Sequence, residues 1–170
     1  MADLNPRDRI QPFLLDRLTD DQSDQQKESR DKNVFSPRQL KSALLRDLAW
    51  LLNTPAPTEE EGVMDYPQAA TSVINFGVRD LTGTTASGVA APDLERAIVK
   101  AIQMYEPRIA KHSISVSLVA QDGGKGSGVN SVALEIRGEI LANQLPDPLY
   151  IKTEVDLETG QYLLKDRPNG

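Results

Sequence analysis

The feature that most constrains this chain is the run of alternating segments in its C-terminal half. Val132, Leu134, Ile136 and Ile140 alternate with Ser131, Ala133, Glu135, Arg137 and Glu139, and Ile151, Thr153, Val155 and Leu157 alternate with Tyr150, Lys152, Glu154 and Asp156. Ile114, Val116 and Leu118 alternate in the same way with serines 113, 115 and 117. A period of two places every second side chain on one face of a sheet, so each segment predicts a strand with one apolar and one wet face. A short fourth strand, Gln161 to Leu164, follows a tight turn at Thr159-Gly160. Such a sheet needs a cover, and the segment opened by Pro92 and Asp93 supplies one: Leu94, Ala97, Ile98, Ala101, Ile102 and Tyr105 share one helical face. The expected class is α+β, with helices early and a mostly antiparallel sheet of about four strands late.

The N-terminal third is less regular. Residues 6–18 predict a short helix with Ile10, Phe13, Leu14, Leu15 and Leu18 on one face, and so short a helix must dock on something. Residues 20–33 are polar and charged and read as a linker. Residues 1–33 are thus expected to be an N-terminal helix and flexible linker, and residues 34–170 the folded domain. A stronger helix starts at Ser36, where Pro37 and Gln39 complete a capping box, and carries the ladder Leu40, Leu44, Leu48 and Leu51. Trp50, the sole tryptophan, is expected to be half-buried core rather than an exposed anchor. Pro67 to Asn75 reads as a further short helix ending at Gly77, a suitable left-handed C-cap.

Composition excludes several functions. The net charge is −6, shared as −3 over residues 1–62 and −3 over residues 63–170, with no basic patch for phosphate contacts or an anionic membrane. Absence of cysteine removes disulfides and thiolate metal sites. No apolar run approaches the ~20 residues of a membrane span, and the acidic start is unlike a signal peptide, so a cytoplasmic location is expected. The glycine-rich stretch at 123–128 contains Lys125, but it joins two strands and fits neither phosphate-loop nor dinucleotide spacing. His112, the single histidine, stands without a partner for a triad or a metal. No catalytic residue, cofactor or metal is expected.

One junction remains. Pro107 separates Glu106 from Arg108 where the helical pattern ends and the strand pattern begins. If these residues are extended, the acid and base project to the same side and form a preset pair. Either they bond within the domain, pinning the helix exit, or they face a partner subunit.

Three stretches, FLLDRLTDD at 13–21, RDLAWLLNT at 46–54 and SVINFGVRDLTG at 72–83, resemble the TssE family, which supplies a baseplate subunit of the type VI secretion system and is related to a wedge protein of contractile phage tails. IVKAIQMYEPRI at 98–109, IRGEI at 136–140 and TEVDLETG at 153–160 extend the likeness over roughly residues 13–165. The chain departs from the family pattern at Tyr105, where Phe is expected, and in its long glycine-rich loop. The resemblance implies a non-catalytic subunit that helps assemble the wedge and starts polymerisation of the contractile sheath, with Glu106, Pro107 and Arg108 as partner-binding residues. The partners it implies are other baseplate wedge subunits and sheath proteins, at the cytoplasmic side of the inner membrane, with no nucleic acid and no membrane insertion. The family sheet is thought to imitate a sheath-subunit fold, so a first sheath ring would dock on it by strand exchange. Two alternatives stand beside this. Relatives have carried a lysozyme-like label, so one is a peptidoglycan-cleaving muramidase, for which Glu106 is the best acid although Arg108 favours its ionised form. The other is a free-standing interaction adaptor.

Overall fold

The computed structural model describes residues 13–18, 36–57, 62–83, 90–119, 131–141 and 147–166. Helix α1 spans Leu14–Leu18, α2 Pro37–Leu52, α3 Pro67–Ala70 and α4 Ala91–Tyr105; strand β1 spans Ser115–Val119, β2 Ser131–Ile140, β3 Asp147–Asp156 and β4 Tyr162–Asp166. The four strands form one antiparallel sheet in chain order, with Val116 opposite Ile136, Ile136 opposite Ile151 and Val155 opposite Tyr162. The α+β expectation holds. The glycine-rich loop lies outside the described residues, as do residues 6–12 of the expected first helix and the whole linker, residues 20–33.

The alternation in the sequence is the alternation in the structure. Val132, Leu134, Ile136 and Ile140 of β2 are buried, as are Leu149, Ile151, Thr153 and Val155 of β3, all on one face. Two helices cover that face rather than α4 alone. Leu94, Ile98, Ala101 and Ile102 of α4 join Leu40, Leu44, Leu48, Leu51 and Leu52 of α2 in a single core, with α4 lying against β1 and α2 against β4. Fully burying each of these leucines and isoleucines contributes about 1.5–3 kcal/mol, so the paired helices and the sheet stabilise one another.

The cap at Ser36 is as expected: its hydroxyl accepts from the Gln39 N–H at 3.3 Å, and the Gln39 carboxamide oxygen accepts from the Ser36 N–H at 2.9 Å. Three expectations need correction. Trp50 is 52 % exposed, because it stands two positions, or about 200° around the helix, from Leu48 on the buried face. Residues 67–75 form one α turn and a 3-10 turn, Val73–Asn75, not a single helix, and Val73 and Ile74 are exposed. Gly77, at φ +127°, caps no helix. It runs beside the exit of α2, where Val78 N–H donates to Thr54 O at 3.0 Å, and a Cβ there would stand 2.2 Å from that same oxygen.

Candidate functional site

Helix α4 ends at Tyr105, and Glu106 makes its last backbone bond, N–H to Ile102 O at 2.9 Å. Pro107 does not continue as extended chain, as the sequence reading supposed. It presets the φ that favours a tight turn, which the Ile109 N–H closes by donating to Glu106 O at 3.3 Å. The turn is fastened to the end of β2. Ala110 N–H donates to Glu139 O at 2.9 Å, Leu141 N–H donates to Arg108 O at 2.7 Å, and Glu139 N–H donates to the Ser113 hydroxyl at 2.8 Å. Gly138 permits this approach, since a Cβ there would stand 2.9 Å from Ile109 Cγ2.

Within the turn the acid and the base meet each other. Arg108 donates from Nε and Nη2 to the two oxygens of Glu106, and its backbone N–H also donates to Glu106 at 3.2 Å. Glu106 is buried, and its side chain is 4 % exposed. The pair does not stand alone: Arg108 Nη2 lies 2.8 Å from Asp47 on α2, Asp47 accepts from Arg46 Nε at 2.9 Å, and Arg46 Nη1 donates to Asp16 on α1 at 2.6 Å. The Phe13 ring lies 4.2 Å from the Arg108 guanidinium, and the Trp50 ring 5.2 Å from that of Arg46. Three carboxylates and two guanidiniums (−3 + 2 = −1) thus tie three segments of the chain together. Burial alone would lower the Arg108 guanidinium, but the hydrogen bonds and charge of Glu106, and then Asp47, outweigh it and hold it above its ordinary value. Arg46 is raised too, chiefly by its hydrogen bond to Asp16 and then by that to Asp47.

Beside the network a groove of about 270 Å³ opens between Leu15, Trp50, Leu51, Phe76 and Tyr105, with Asp47, Glu106 and Arg108 at its charged end. Tyr105 is fixed by its hydroxyl, which donates to Ser72 O at 2.8 Å, and by edge contact with Phe76 at 5.2 Å between ring centres. Leu14 and Leu18 of α1, 70 % and 73 % exposed, leave further apolar surface nearby, so α1 docks through Phe13 and Asp16 rather than by these two leucines. Phe13 is on the docking face expected of the first helix, whereas Asp16, Arg46 and Asp47 carried no expected role, although all four stand in stretches that carried the resemblance.

A family model described as baseplate wedge protein gp25 matches residues 38–145, more than half of the chain. The chain belongs to this family. The match takes in α2 from its second residue, α4, the whole Glu106-Pro107-Arg108 turn, β1 and β2, and it excludes α1 and all of β3 and β4. The wedge family is one of structural components of phage-tail-like baseplates, which includes the TssE proteins. No curated protein and no solved structure matches the chain.

The remaining candidates of the wedge protein are scattered. His112 is 83 % exposed and stands 3.9 Å from Glu139. Glu135 pairs with Arg137, Glu154 accepts from the Ser131 hydroxyl, and Asp156 accepts the Glu158 and Thr159 amides of its own turn. Among the described residues no group of histidine and carboxylate side chains is placed to hold a metal, and no helix is long and apolar enough to cross a membrane.

Proposed function

We infer that this wedge protein is a non-catalytic subunit of a type VI secretion baseplate, where it helps assemble the wedge and starts growth of the contractile sheath. The observation that carries this reading is the family match across α2, α4 and the Glu106-Pro107-Arg108 turn. The geometry beside the turn supports this reading. Arg108 and Glu106 are paired with one another, and the Arg108 Nη1 that has no partner among the described residues is buried, so the turn offers a neighbour a shaped edge rather than exposed charges. The apolar groove beside it, with exposed Trp50 at its rim, suits a side chain of another baseplate subunit. Both Glu106 oxygens accept from Arg108, which leaves neither to protonate a glycosidic oxygen, so the muramidase alternative gains no support from this site.

The test is a tagged chain expressed in cells that assemble the apparatus. Several baseplate proteins recovered together, and loss of sheath assembly with the folded Glu106→Ala/Arg108→Ala variant, are expected. Normal sheath formation with that variant would overturn the site, a single small partner would favour an adaptor, and dose-dependent lysis of peptidoglycan by the pure protein would favour an enzyme.

A further inference from the structure

Helix α1 is fastened to the body unlike the other helices of the core. It has five residues, and none of them is buried. Leu14 and Leu18 are 70 % and 73 % exposed, and Leu15, 44 % exposed, lines the groove beside Trp50 and Tyr105. A helix shorter than about 12 residues does not hold its shape alone in water, so α1 is helical only while it is docked. Phe13, at its start, packs against the core with its ring over the Arg108 guanidinium. Asp16 accepts from Arg46 Nη1 at 2.6 Å. One cation–π stack and one ion pair thus do for α1 what a leucine face does for α2 and α4.

Such a hold is easily released. The side chains of Arg46 and Asp16 are 35 % and 13 % exposed, and a partly exposed pair contributes weakly and is screened by salt. When Asp16 leaves, Arg46 keeps Asp47 at 2.9 Å. Arg108 keeps both Glu106 and Asp47, so the turn and α2 hold one another with or without α1. Arg108 Nη1 is a buried donor with no acceptor among the described residues, and water that enters when the Phe13 ring lifts can accept from it. That gain offsets part of the lost stack. Opening takes Leu15 out of the groove wall and leaves Leu51, Phe76 and Tyr105 in place, so the groove has two forms.

We propose that α1 is a strap that opens and closes on this groove as a unit of its own, with ionic strength setting the balance while the rest of the fold stays intact. Closed, it supplies Leu15 as a wall; open, it leaves the guanidinium of Arg108 to water. The consequence for assembly rests on the reading above that the groove receives an apolar side chain of another subunit. That side chain gains contact with Leu15 only in the closed form, so binding closes the strap, and a loosened strap weakens binding in proportion to the closed fraction lost.

The test is amide hydrogen exchange on the full chain, read at Arg17, whose N–H donates to Phe13 O at 2.9 Å, and at the core helices α2 and α4. Raising salt from about 0.1 M to about 1 M shortens the screening length from about 10 Å to about 3 Å. This is expected to speed exchange at Arg17 about two- to fivefold, the scale of a partly exposed ion pair, without speeding α2 or α4. Asp16→Asn keeps the shape and removes the charge. It should give the same acceleration at low salt, abolish the salt response and leave the urea midpoint of the fold unchanged. Phe13→Leu should also speed Arg17 but keep the salt response. Trp50 fluorescence should follow the same opening, because its ring lies 5.2 Å from the Arg46 guanidinium. Exchange at Arg17 that ignores salt would overturn the strap, as would acceleration in Asp16→Asn that appears only together with α2 and α4. Either result would make α1 a fixed part of the core. In the assembled baseplate complex the peptide containing Arg17 is expected to exchange several-fold more slowly than in the free chain. Equal exchange there, with a salt-dependent α1 in the free chain, would remove the groove reading and leave the strap standing.

Discussion

Separate removal of Glu106 and Arg108 should harm the fold more than joint removal suggests. Glu106→Ala takes three acceptor contacts from Arg108, whose side chain is 14 % exposed. Breaking a buried ion pair from one side costs about 3–5 kcal/mol because the surviving charge is left uncompensated. Asp47 remains 2.8 Å from Nη2, so the lower end, about 3 kcal/mol, is expected for Glu106→Ala. Arg108→Ala strands a carboxylate that is 4 % exposed and also loses the Phe13 stack, so about 4 kcal/mol is expected. The double variant leaves neither charge behind. It should cost about 4 kcal/mol for lost packing and for the turn, giving a coupling of about 3 kcal/mol rather than a sum near 7. The assay is urea unfolding followed by far-UV circular dichroism and by the fluorescence of Trp50, which sits on the Arg46 end of the same network. For a chain of this size a loss of about 3 kcal/mol also lowers Tm by roughly 6–12 °C. Additive effects, or single variants costing under about 1 kcal/mol, would refute the view that these groups form one buried unit.

Tyr162 supplies an alkaline signature. Its hydroxyl is buried with no partner among the described residues, and burial, helped by the Asp80 charge, pushes the phenol from 10.0 up to about 12. The native state keeps its proton where the unfolded phenol has lost it, so this contribution is whole below about pH 10 and falls away by about pH 12, with a total of roughly 2–3 kcal/mol. Tyr162→Phe should abolish that alkaline limb in unfolding measured across pH, and at neutral pH it should be neutral or stabilising by up to about 1 kcal/mol; an unchanged alkaline slope would contradict the assignment. Gly77→Ala should destabilise by more than about 3 kcal/mol, through positive φ and collision with the Thr54 carbonyl, and a well-folded variant with unchanged Tm would contradict this. Ser36→Ala should cost about 1 kcal/mol by urea unfolding, and Ser36→Asn almost nothing; equal losses would show that the cap hydrogen bonds are not the cause.

Local periodicity carried the fold. The cap at Ser36, the α2 leucine ladder, the α4 face and all four strands were legible because each is written within a few residues of itself. The second cover on the sheet was not, since nothing in the α2 ladder says which surface it meets. The same limit hid most of the site. Glu106 and Arg108 are two residues apart and could be paired on paper, whereas Asp47 lies 61 positions before Arg108, and Asp16 lies 30 before Arg46. Such meetings depend on how the helices dock. Asn53 and Tyr162 are 109 positions apart, and Glu95 and Leu118 are 23 apart, so these helix side-chain contacts with the backbones of β4 and β1 were equally hidden. Trp50 was a different error: the 100° step per residue already placed it off the leucine face.

Of the two roles that the sequence left open for the Glu106-Pro107-Arg108 turn, the structure shows the inward one. A buried ion pair is a weak source of net stability, because desolvation offsets most of its attraction. Its stronger effect is geometric, since each misplacement leaves a charge unpaired in the interior. Here the constraint fixes α4, α2 and α1 against the end of β2, and thereby sets the walls of the Leu15, Trp50 and Tyr105 groove. Inward pairing is therefore compatible with the partner contact proposed above. A neighbour that seats an apolar side chain in that groove reads a shape that exists only when the pair is closed. Loss of assembly in a folded variant would follow even though neither charge reaches the partner.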